Sequence, residues 1–157
     1  MRNRATFLVL ASFVVANIVI FATADPGCRV VGAVCYAEAN HWGAQIAEAL
    51  LTHGKIVSLA DPTAAFTAWP PGFGALEALT RIIGPENNVT LLIVLQLLMV
   101  VVVGLWVQKI IENTFPGYGV IGLALVILNP NVLIHANLPK GEVALMFLVF
   151  LSFVFSV

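Results

Sequence analysis

Long apolar runs alternate along this chain with short polar interruptions, and the spacing inside each run decides what it predicts. Behind Arg2 and Arg4, residues 5–24 form an uncharged run of about 20 residues, enough to cross roughly 30 Å of hydrocarbon as a helix. A second run extends from about Val89 to Val107, interrupted only by Gln96, a residue expected to contact another helix. A third starts near Tyr118 and meets Asn129-Pro130-Asn131 after Leu128. Proline removes a helical hydrogen bond, so the outer part of this span is predicted to kink or end early. The polar groups that follow, His135 and Asn137 among them, are then expected to face protein or water. Val143–Val157 begins a fourth run of about 15 residues, short of a comfortable span and without a polar anchor. The sequence therefore reads as cut off.

Residues 25–88 have a different pattern. From Glu38 to His53, Ala39, Trp42, Ile46, Ala49 and Leu50 recur at three- and four-residue steps, and Glu38, His41, Gln45, Glu48 and Thr52 occupy the opposite stripe. An amphipathic helix is predicted, stopped at Gly54. It suits the headgroup boundary or a seat over the ends of spans. Lys55–Phe66 has no sustained period, and Thr67–Gly74 is predicted to be a rigid extended turn with Trp69 and Phe73 as aromatic edges. A short helix, Ala75–Ile83, ends at Gly84-Pro85. The chain thus divides into a first transmembrane helix (1–24), an extracytoplasmic loop with an amphipathic helix (25–88) and further transmembrane helices (89–157). The expected fold is an all-α integral membrane protein with about three full spans and a truncated fourth.

Composition strengthens this picture. The chain is 61% hydrophobic and 10% charged with mean hydropathy +1.02, against about 45–50% and about 25% in soluble domains. Its net charge of −1 and scattered basic residues exclude a nucleic-acid partner. Arg2 and Arg4 hold the amino terminus in the cytoplasm, so the loop emerges on the outer side of an inner or plasma membrane. Ala22-Thr23-Ala24 also fits a signal-cleavage site, but the run before it is longer than the usual 7–15 apolar residues, which favours retention. Cys28 and Cys35 can form a small-ring disulfide in an oxidising compartment or remain two thiols. No metal-ligand spacing accompanies them, so neither metal nor cofactor is assigned. The Asn88-Val89-Thr90 sequon lies too near the bilayer to be a convincing glycan acceptor.

Counting crossings puts Glu38 and Glu142 on one face of the membrane. Two carboxylates there, beside a rigid aromatic turn, can act as a general base or bind a cation or polar substrate. Glu38 at a helix start also suits the positive end of the helix dipole.

These residues resemble polyprenyl-phosphate-sugar glycosyltransferases, the superfamily that includes protein O-mannosyltransferases and the aminoarabinose transferases of lipid A. Glu38 takes the place of the family's loop acid, Trp42 that of its tyrosine and Gly54 that of the glycine closing the helix. Pro130 and Glu142 are similar to its later proline and acid pair. The chain departs from the pattern in having Glu at 38, Trp at 42 and Lys140-Gly141 before the second acid. The resemblance implies transfer of a sugar from a polyprenyl-phosphate carrier to a lipid, glycan or protein hydroxyl outside the cytoplasm, with inversion at the anomeric carbon. Glu38 would be the general base and Glu142 a second acid orienting acceptor or carrier. His41, Trp42, Trp69 and Lys140 are the candidate substrate-binding residues. Because members of the family have more spans, the resemblance also implies an amino-terminal piece, inactive alone. The alternatives are a small polytopic scaffold, or a transporter subunit using the broken third span.

Overall fold

The computed structural model describes residues 2–23, 37–58, 63, 71–85, 88–138 and 141–156, with backbone alone at 2, 37–42 and 71. Of these residues 87% are helical and none forms a strand. In chain order the helices are α1 (Arg2–Thr23), α2 (Ala37–His53), α3 (Pro71–Ile83), α4 (Asn88–Thr114), α5 (Gly119–Ile127), α6 (Pro130–Ala136) and α7 (Glu142–Ser156). Two compact units result. One gathers Met1–Ala24, Leu95–Leu138 and Glu142–Val157; the other gathers Asp25–Val94 and Pro139–Gly141.

The first unit is built as an apolar bundle is in lipid. Phe13, Val100, Leu123, Ile127, Ala136 and Val143 make its core. Its outer faces are apolar as well: Phe7, Leu8, Leu125 and Leu148 are all more than half exposed. Water would penalise such a surface, whereas acyl chains accept it. α1 and α4 are each long and apolar enough to cross a membrane, and α5 with α6 makes a third crossing if the bent pair is one span. This is consistent with an integral membrane protein. Close helix approach uses small residues, since lipid removes the hydrophobic drive between helices. A Cβ on Gly104 would stand 2.9 Å from Leu123 Cδ1 and also collide with Ile127.

The break between α5 and α6 has the predicted cause. Pro130 stands at the first turn of α6, Asn129 caps it by accepting from the Asn131 amide at 2.9 Å, and the two helices bend by 51°. Buried polar side chains in this unit tie helices together. Asn137 donates to Asn17 Oδ1 at 2.5 Å, Asn17 donates to the Phe13 carbonyl at 2.7 Å, and Gln96 donates to the Leu138 carbonyl at 2.9 Å. Gln96 therefore contacts protein, as its position suggested, at the segment that follows α6.

Two boundaries differ from the reading of the sequence. α4 runs on past the apolar stretch read from Val89 to Val107 and ends only at Thr114, because Lys109 and Glu112 are sound helix formers. Glu112 then accepts from the Gly117 and Gly119 amides at 3.2 and 3.0 Å, stabilising the turn that follows. The second difference lies at α3, which starts at Pro71 rather than Ala75. Proline is preorganised for a first helical position, so the segment 71–74 is helix and not extended turn. Phe73 consequently points inward, at 6% exposure, and is no aromatic edge.

Candidate functional site

The second unit centres on α2 packed against α3. α2 buries Ile46, Ala47 and Ala49 completely, and Ile46 packs against Gly74 of α3. Two glycines let the helices approach. A Cβ on Gly43 would stand 2.8 Å from Phe73 Cδ1 and 2.9 Å from Glu77 Oε2; one on Gly74 would strike the Ile46 side chain and lie 3.2 Å from the Gly43 carbonyl. α2 stops where expected: the Gly54 amide bonds the Leu50 carbonyl at 3.0 Å and Gly54 adopts φ 65°, a left-handed conformation suited to glycine.

A charged cluster occupies this interface. Glu77 is only 1% exposed and accepts from Arg81 Nη2 at 2.8 Å, one turn along α3. Arg81 Nη1 reaches across to Glu48 Oε2 at 3.1 Å, and the Thr52 hydroxyl donates to Glu48 Oε1 at 3.3 Å. Glu48 and Thr52 belong to the polar stripe read from the sequence. Burial raises the Glu77 carboxyl above its ordinary range, and Arg81, by hydrogen bond and by charge, pulls it part of the way back. The second carboxylate oxygen of Glu77 has no hydrogen-bond partner. Glu77 is a buried, ion-paired acid that the reading of the sequence did not single out. Its only sequence signal was the Glu77, Arg81 spacing of four on a helix.

The predicted site residues distribute as follows. Glu38, His41 and Trp42 lie on the first two turns of α2, where the backbone alone is described. Trp69 and Lys140 fall outside the described residues, as do Cys28 and Cys35. Glu142 is exposed in the first turn of α7, in the other unit, where a carboxylate faces the positive helix end. Among the described residues no three His, Cys, Asp or Glu side chains come together as a metal site would require. What the second unit provides chemically is a helix held rigidly at mid-length by Gly43, Phe73 and the Arg81 bridge, with Glu38 at its start.

Comparison with known proteins found no matching family model, curated protein or solved structure.

Proposed function

We propose that this chain takes part in sugar transfer from a polyprenyl-phosphate carrier to a hydroxyl acceptor on the outer face of the membrane, with Glu38 as general base. The observation that supports this reading best is the start of α2 at Ala37, which sets Glu38 in the first turn of a helix braced by α3. In the reaction, the acceptor oxygen bonds the anomeric carbon as the bond from that carbon to the carrier phosphate breaks. The polyprenyl phosphate leaves and the hydroxyl proton passes to the carboxylate of Glu38. The same carboxylate favours the positive charge that builds on the sugar ring. Glu142 orients acceptor or carrier, His41 and Lys140 contact the carrier phosphate, and Trp42 and Trp69 line the sugar. The amino terminus is cytoplasmic, following Arg2 and Arg4.

The test is carrier-dependent transfer by membranes expressing the full reading frame, comparing wild type with Glu38→Gln. Loss of transfer at unchanged membrane insertion is the expected result. Turnover retained in the variant removes Glu38 from the mechanism. A wild type that never depends on a sugar carrier returns the chain to the transporter reading if solute flux is measured, and to the scaffold reading if it is not.

A further inference from the structure

Helix α3 is inside out. Its buried side carries its charges: Glu77 and Arg81 face α2 together with Phe73, and Thr80 and Ala78 are buried as well. Its outer side has no polar side chain. Gly72, Ala75, Leu79, Ile82 and Ile83 recur at helical spacing along it, with Leu79 at 48%, Ile82 at 67% and Ile83 at 68% exposure. A helix bathed in water has the opposite arrangement, since solvated faces select charged residues and interiors reject them.

What covers this face follows from its place in the chain. The residue that follows α3 meets the first turn of α4: the position of a Cβ on Gly84 lies 2.7 Å from Leu91 Cδ1. α4 starts at Asn88 and is one of the helices long and apolar enough to cross a membrane. Even fully extended, the chain from Ile83 to Asn88 reaches about 17 Å. Ile82 and Ile83 are thus held beside the mouth of a span. α3 itself, with 13 residues, is about 20 Å long, too short to cross about 30 Å of hydrocarbon.

We propose that α3 lies in the boundary between headgroups and acyl chains, with Leu79, Ile82 and Ile83 against lipid and the Glu77–Arg81 pair turned toward α2. The bilayer is the occupant of this face. The assignment rests on α4 as a span and is independent of sugar transfer. It gives α3 an interfacial role of its own, beside an α2 whose Ile46 and Ala49 are buried.

The experiment uses the full chain in vesicles of phosphatidylcholine and phosphatidylglycerol. A Cys28→Ser/Cys35→Ser background receives Ile82→Cys or Thr52→Cys, each labelled with an environment-sensitive fluorophore. The label at Ile82 is expected to emit to the blue of that at Thr52, to be quenched by doxyl-labelled phosphatidylcholine and to lose iodide quenching. Iodide quenching equal to that at Thr52 overturns the proposal. Protection from both quenchers also overturns it, in favour of a protein partner. Unsubstituted protein, photolabelled with diazirine phosphatidylcholine, gives the second reading: adducts at Leu79, Ile82 or Ile83 support lipid contact, and adducts on α4 with none on α3 refute it.

Discussion

Replacing Arg81 by Met tests the charge cluster that braces α2. The substitution keeps a long apolar stem but removes the donor to Glu77 Oε1 and the reach to Glu48. Glu77, 1% exposed and already lacking a partner for Oε2, is left as an uncompensated buried carboxylate. Breaking one side of a buried pair costs about 3–5 kcal/mol. That is a large share of the roughly 5–15 kcal/mol that holds a typical domain folded. The Glu48 contact adds little, since Glu48 is half exposed. The penalty also depends on pH. Burial raises the Glu77 carboxyl above 4.5 and Arg81 lowers it, so the variant shifts it further up. A folded carboxyl titrating above its unfolded value binds a proton that the unfolded chain releases. Stability is therefore fullest below the unfolded value and falls as pH rises through the folded one. The assay is hydrogen exchange of the α2 amides from Gly43 to Ala49, corrected for intrinsic exchange at each pH. At about 1.4 kcal/mol per decade, exchange in Arg81→Met at pH 8 should accelerate by about two to four orders of magnitude, and by less at pH 5. Unchanged exchange at pH 8, or an acceleration equal at both pH values, refutes the argument that a buried charge is being neutralised.

Gly74→Val should loosen the α2–α3 packing, because the Gly43 carbonyl 3.2 Å from the new Cβ is backbone and cannot swing aside. Overpacking of this kind costs about 1–3 kcal/mol, and faster tryptic cleavage after Arg81 would report it. Gln96→Leu deletes the bond to the Leu138 carbonyl but also removes a buried oxygen without a partner. Interhelical hydrogen bonds in membranes average about 0.6 kcal/mol, so detergent-induced unfolding should barely move. Gly54→Ala places a side chain at φ 65°, a left-handed conformation that costs about 1–2 kcal/mol. Its effect should be confined to faster amide exchange in the last turn of α2.

Some of this fold could be read before any coordinate. α1 and α4 were legible because an uncharged run of that length has one stable form in lipid, a helix that satisfies its own backbone. The break at Pro130 was legible because proline acts locally, and so was the stop at Gly54. α3 was harder. Pro70-Pro71-Gly72 reads as a turn from its own chemistry, and only the seat that α2 offers to Phe73 and Gly74 makes Pro71 a helix start. The site divides in the same way. The stripe from Glu38 to Thr52 followed from periodicity, and Glu48 and Thr52 do share a network. Glu77 did not follow. Nothing in its neighbourhood along the chain announces burial, which depends on Gly43 leaving room and Arg81 arriving from the next turn.

The glycines at helix contacts also bear on how this chain can change over time. Leucine, isoleucine, valine and phenylalanine are nearly interchangeable where acyl chains are the neighbour, so outward positions of α1, α3 and α4 are free to drift without altering the packing behind them. Gly43, Gly74 and Gly104 have no such freedom, because any larger residue meets Phe73, Ile46 or Ile127. Overall similarity between distant copies would fade quickly while these gaps persisted. The spacing of missing side chains is therefore the mark by which a diverged relative of this protein would be known.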